Sequence, residues 1–421
     1  MKKKFLSFLV CGTLAASAVV GFTACGDSGL KLTVWGSAAQ QETLKEMVQA
    51  FKEANPDQKY NIKIGVGEED MAYSNVSKDP SGAADVYCYS NDQLVPLLRS
   101  GALAELGGTF LETVKAENQT ESVKSASIAW GTAEEKVYGY PYASDNGYFM
   151  FYDKSVLTEE QAGSLESIIS VCESKNKTIG WAVDVPWYTA GFFFTFGCSY
   201  NVEYDYNANY RETKIEIDFN SENGIKASKA IEKLTSSKAF AGKGTDNGII
   251  TTGFSTRKMA VAVSGTWNAK RIKADLGEDY GVCKLPTVTV GEETEQLSSF
   301  KGYKLFGVNP HSKNLVEAHR LAAFLSSGSM QRVRFEKHLV GPTNIEIANT
   351  DAIKNDATFL ALNEQNAYAV DQISVPSNFW EPLRSYGLNI IDKLIDETGT
   401  KGENFTYQNY LDKMVASITN R

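Results

Sequence analysis

Four short stretches of this chain set aromatic rings beside polar side chains. Tyr89 is trailed by Ser90, Asn91 and Asp92; Trp187 and Tyr188 follow Pro186 in VDVPWYTAG. Trp267 closes FSTRKMAVAVSGTW, and Trp380 stands in PSNFWEPLRSYG with Glu381 and Arg384 nearby. Asp145 and Asn146 lie between the first and second of these stretches. A sugar ring has an apolar C–H face and an equator of hydroxyls. Flat aromatic walls suit the face, and Asp, Asn, Gln, Glu or Arg side chains suit the equator. Charged partners make the stronger hydrogen bonds. Each aromatic alone also reads as core or rim packing; together they point to carbohydrate binding.

Constellations for covalent chemistry are scarce. His311, His319 and His338 all fall in one late segment, none with a second ligand at metal spacing, which argues against a zinc or iron centre. There is no Gly-x-Ser-x-Gly, no P-loop and no Gly-x-Gly-x-x-Gly after a strand, so no cofactor is expected. Carboxylates are abundant, and a glycosidase pair among them stays open. The net charge of −9 and the lack of basic runs with interleaved aromatics argue against nucleic acid as a partner.

The N-terminus reads as an export signal. Three lysines precede an uncharged stretch from Phe5 to Ala24, which ends in Phe-Thr-Ala-Cys. The ending is similar to a bacterial lipobox, with cleavage after residue 24 and lipid on Cys25, although Phe22 replaces the usual aliphatic residue. A membrane-spanning anchor is the rival reading. Either way the remainder lies outside the cytoplasmic membrane. Of six cysteines, Cys88, Cys172, Cys198 and Cys283 then remain, without Cys-x-x-Cys spacing. They read as small buried hydrophobes, with a single bridge between Cys172 and Cys198 left open.

The elements that must position these residues follow an α/β rhythm. KLTVW (31–35) is a short strand; Leu44, Met47, Val48 and Phe51 then recur at helical spacing until Asn55-Pro56. Strands are expected at 60–66, 84–89 and 259–263, and a short helix from Leu94 to Arg99 that stops at Gly101. A hairpin-like interlude covers 200–219, and helical stretches run over 220–238 and 315–338. This order calls for mostly parallel sheets covered by helices. Nearly 400 residues exceed what one core serves, so two domains are expected, with no linker composition between them.

On these residues the chain resembles the extracellular solute-binding proteins of carbohydrate importers, specifically the maltose/maltodextrin-binding group. KLTVW and its helix, ADVYCYSNDQLVPLLRSGALAEL, VYGYPYASDNGYFMFYDKSVL, FSTRKMAVAVSGTW with YGVCKLPTV, and NFWEPLR occur in the family's order from Lys31 to the C-terminus. The resemblance implies two α/β lobes joined by a hinge of several crossing segments, with the ligand between them. One lobe would comprise 30–143 plus 295–341, the other 144–290 plus 342–421. It further implies that Tyr89 and Trp267 stack on sugar rings and that Asp92 binds hydroxyls. Trp187 with Tyr188 would form a wall, and Trp380, Glu381 and Arg384 the far end of the platform. Asp145 or Asn146 falls at a hydroxyl-binding acid, and Gln40 and Gln41 fall loosely in the first ligand loop. Two positions depart from the pattern: Val185 replaces an expected Glu, and Gln93 an expected Arg.

The expectation is therefore a non-enzymatic, monomeric, lipid-anchored subunit that closes around an oligosaccharide, an α-1,4-glucan first, and delivers it to the permease of an ATP-driven (ABC) importer. Xylan, galactan or fructan fragments are the alternatives within the class. A glycoside hydrolase and a surface lectin are the alternatives outside it.

Overall fold

The computed structural model describes residues 29–128 and 135–420. The export segment and Cys25 lie outside the described residues.

Two mixed sheets organise the chain. The first contains Leu30–Gly36, Tyr60–Val66, Val86–Ser90, Tyr140–Ala143 and Lys304–Val308. Its first three strands pair in parallel, whereas Lys304–Val308 runs antiparallel to both of its neighbours. The second sheet contains Phe149–Asp153, Thr178–Gly180, Met259–Ser264 and Tyr280–Cys283. Only its pairing of 259–264 with 178–180 is parallel. The antiparallel pairs arise where the chain passes from one sheet to the other and re-enters in the opposite direction.

Local pattern explains the individual elements. In Leu30–Gly36, Leu32 and Val34 point into the core while Lys31 is exposed, the alternation of a strand covered on one face. In the helix Gln41–Ala54, Leu44, Met47, Val48 and Phe51 form one buried stripe. Met259–Ser264 is buried at every position, as expected of a central strand packed on both faces. The helical stretch expected at 315–338 is two helices, Leu315–Leu325 and Gly328–His338, interrupted at Ser326-Ser327.

Each sheet has its own apolar core. Leu32, Val34, Phe51, Val86 and Phe306 belong to the first. Met150, Ile179, Phe193, Val261 and Tyr386 lie on one face of the second sheet, and Phe149, Phe151, Phe254 and Ala262 on the other. The chain crosses between the lobes at 143–149, 301–304 and 340–347. Leu297 and Phe300, in the segment expected to open the return to the first lobe at Glu295, pack in the second core. The hairpin Tyr200–Asp205/Arg211–Ile217 springs from the second lobe, yet Tyr210 near its tip packs in the first core. All four described cysteines are free, so Cys172 and Cys198 are not bridged; burial pushes both thiols up to about 12.

Candidate functional site

The three candidate tryptophan walls all stand on first helical turns. Pro186 is compatible with the first position of a helix, where its missing N–H costs nothing, and Trp187 and Tyr188 follow it in Pro186–Thr195. Thr266 opens the helix Thr266–Leu276 directly after the central strand, so Trp267 leaves the strand end on a helix and not on a loop. Trp380 is the first residue of Trp380–Ile391. Such a turn fixes the direction of a side chain more firmly than a loop does.

Two of these walls meet. The rings of Trp187 and Trp267 lie 6.0 Å apart at 42°. Tyr148, from the first crossing segment, sets its ring edge-on to Trp187 at 4.7 Å and lies 4.8 Å from Tyr188. The polar rims of the indoles are occupied: Trp187 Nε1 donates to Gln372 Oε1 at 2.7 Å, and Trp267 Nε1 donates to Asn247 Oδ1 at 3.0 Å. Asn146 Nδ2 shares the Gln372 acceptor at 3.4 Å. Trp267 remains 37 % exposed although it follows a wholly buried strand.

Trp380 belongs to another group, edge-on to Phe379 at 5.1 Å and to Phe300 at 6.0 Å. It is half-buried, and Glu381 and Arg384 stand exposed beside it as a loose pair at 3.9 Å. Asp92 accepts hydrogen bonds from Ser90 Oγ at 2.5 Å and Gln93 Nε2 at 2.8 Å. Burial pushes its carboxyl up to about 6, with Asp70 adding repulsion. Its charge also acts on the hydroxyl of Tyr200, a residue of the second lobe.

Four expected residues stand elsewhere. Tyr89 is fully buried; its ring lies against Gly307, and its hydroxyl donates to Tyr138 O at 3.4 Å. It is a core residue of the first lobe with no face left for a ligand, which corrects the stacking role expected of it. Asp145 is likewise corrected as a hydroxyl-binding acid. It is 0 % exposed, and its Oδ2 accepts from Thr266 Oγ1 at 2.5 Å and from the Gly341 N–H at 3.1 Å. Lys304 Nζ stands 3.3 Å from its Oδ1. Asp145 thus ties a crossing segment to both lobes. Gln41 spends its amide on the carbonyls of Gly36, Ser37 and Gly65, closing the strand ends onto the next helix. Gln40 lines a small cavity with Glu69, Tyr142 and Arg334.

Sequence reasoning missed Gln372, Asn247 and Lys304. Gln372 follows a three-residue strand and Asn247 opens a helix, neither in an aromatic motif. Lys304 begins a strand whose other residues are apolar. Among the described residues no group of His, Cys, Asp and Glu is placed to hold a metal ion, and no helix is long and apolar enough to cross a membrane.

Comparisons with known proteins give the family and the fold. A family profile described as bacterial extracellular solute-binding protein matches residues 46–361. The galactooligosaccharide-binding protein of Bacillus subtilis (strain 168) is 27 % identical over 409 residues, 91 % of either chain. A maltooligosaccharide ABC transporter solute-binding lipoprotein of Streptococcus pneumoniae (strain ATCC BAA-255 / R6) is 26 % identical over 412 residues, 91 % of this chain and 92 % of its own. A structure solved with acarbose is 29 % identical, with a TM-score of 0.77 over 93 % of this chain and 98 % of that one. A maltodextrin binding protein from L. casei BL23 has a TM-score of 0.75 at 20 % identity, covering 94 % of this chain and 100 % of its own, a likeness of fold alone.

Proposed function

The chain belongs to the bacterial extracellular solute-binding proteins, and on that premise we propose that it captures oligosaccharides, maltodextrins first, for an ABC importer to which it is tethered by lipid on Cys25. The observation that carries this reading is the pair Trp187 and Trp267, two adjacent indoles with their N–H groups already fixed by Gln372 and Asn247. Rings held in this way lose little freedom when a ligand arrives, and preorganised walls reward ligands with several sugar units. Asn146, which shares the Gln372 acceptor with Trp187, and Asp92 of the first lobe supply hydrogen bonds to hydroxyls. The protein performs no covalent chemistry: a ligand touching both lobes favours the form in which they close on it, and that form engages the permease. The S. pneumoniae relative and the structure solved with acarbose support the α-glucan choice.

A galacto-oligosaccharide is the second reading, favoured by the B. subtilis relative. Titration calorimetry against maltotriose, maltotetraose, a galacto-oligosaccharide, xylotetraose and glucose tests both. Maltotriose and maltotetraose should bind, and glucose only weakly. Preference for the galacto-oligosaccharide would move the assignment to the second reading. Preference for glucose, or hydrolysis of any ligand during incubation, would refute an oligosaccharide-capture role.

A further inference from the structure

Lys304 opens the strand Lys304–Val308 where the chain re-enters the first lobe. Its side chain is only 12 % exposed, and its ammonium lies 3.3 Å from Asp145 Oδ1. The same ammonium stands over the ring of Trp267, 5.6 Å from the centroid. One residue of the first lobe therefore reaches the most exposed aromatic wall of the second.

Two other neighbours of that indole are fixed. The backbone of Gly265 lies against its six-membered ring, where a Cβ would come within 2.1 Å of Cζ3. Trp187 flanks it at a tilt. With 37 % of Trp267 exposed and the ammonium 5.6 Å from its centroid, a sugar ring that stacks on this indole comes within reach of Lys304. An ammonium has three donors. Asp145 takes one at most, and no other described residue accepts a hydrogen bond from Lys304. The partner carboxylate is already committed: Oδ2 accepts from Thr266 and Gly341, while Oδ1 faces the ammonium at 3.3 Å. Burial disfavours the Lys304 charge, but Asp145 and Glu69 outweigh it, so the group stays protonated.

A purely structural pair would account for the contact with Asp145. It would not account for spare donors beside a half-open indole. We propose that Lys304 is a specificity-determining residue of the site: its ammonium, held by Asp145, donates to hydroxyls of the sugar ring that stacks on Trp267. The assignment rests on the oligosaccharide reading above.

The test is titration calorimetry on the full chain with maltotetraose and with the galacto-oligosaccharide, using whichever binds the wild type. Lys304→Met should weaken binding about tenfold or more, the usual effect of losing a charged hydrogen bond. In a Trp267→Ala background the same substitution should change affinity less than about twofold, because the ring it serves is no longer held. Lys304→Met leaves Asp145 buried without its counter-charge; should that variant fail to fold, Lys304→Met/Asp145→Asn, which removes both charges, is measured in its place. Equal losses in both backgrounds, or wild-type affinity with only a lowered melting temperature, would reduce Lys304 to a structural ion pair and overturn the proposal. A wild type that binds no oligosaccharide of the panel would instead bring down the oligosaccharide reading, and this assignment with it.

Discussion

The indole of Trp267 stands 6.0 Å from that of Trp187, and each donates its N–H to a side-chain amide oxygen from a different part of the chain. The two walls are thus held from behind and at the rim, with part of the Trp267 ring left to solvent.

Trp267→Ala is expected to weaken ligand binding and to leave folding nearly intact. Truncating a central stacking anchor costs about 2 kcal/mol of binding or more, roughly thirtyfold in affinity. A core Trp would instead cost about 3–5 kcal/mol of stability. Thermal melts with and without maltotetraose separate the two: the apo melting temperature should hold, and the ligand-induced rise should shrink. A large apo loss with binding preserved would place Trp267 in the core.

Asp145→Ala is expected to act on folding. It strands Lys304 in a site only 12 % exposed and releases Thr266 and the Gly341 N–H at a crossing segment. Breaking a buried pair on one side costs about 3–5 kcal/mol. Urea denaturation should show a loss of that order. A variant as stable as the wild type but unable to bind would restore Asp145 to the ligand-binding role implied by resemblance.

Asp92 gives the pH dependence a sign. Its carboxyl is raised by burial from 3.8 to about 6, so between those values the folded chain holds more protons than the unfolded one. Its contribution to stability is therefore fully present below about 4 and lost as pH rises through about 6. Asp92→Asn should melt higher than the wild type at pH 7.5, and the gap should close by pH 4. A gap that widens on acidification would show that the carboxylate is stabilised in the fold.

Ligand should compact the protein. The candidate contacts come from both lobes, Asp92 from the first and Trp187 and Trp267 from the second. Small-angle scattering at saturating maltotetraose should give a smaller radius of gyration. An unchanged radius would speak against closure.

Cys25 should carry lipid. Mass spectrometry of the membrane fraction should find a chain that starts at Cys25 with acyl groups, and Cys25→Ala should lack them. An unmodified Cys25, or an intact segment from Met1 to Ala24, would sink the claim.

Much of the architecture was legible because strands and helices write their period into the chain. The strands at 60–66 and 259–264, the helix whose stripe is Leu44, Met47, Val48 and Phe51, and the hairpin from Tyr200 follow from alternation, helical spacing and turn residues. The order of these elements, with aromatic residues near their ends, was enough for the family resemblance. Helix starts at Trp187, Trp267 and Trp380 were less visible. Pro186 marks the first, but no side chain caps any of the three.

Which side each residue faces, and which partner it meets, was settled only by the tertiary structure. Val86–Ser90 is buried on both faces, so alternation could not tell whether Tyr89 looks toward a ligand or into the core. Asp145 is an acid of a type that binds sugars until Lys304 and Thr266, distant in the chain, enclose it. Gln372 reaches Trp187, and Asn247 reaches Trp267, across loops that carry no local signal. A sequence period records the geometry of one element against its own core. The meeting of side chains from separate elements depends on how three crossing segments bring two lobes together, and no spacing along the chain encodes that.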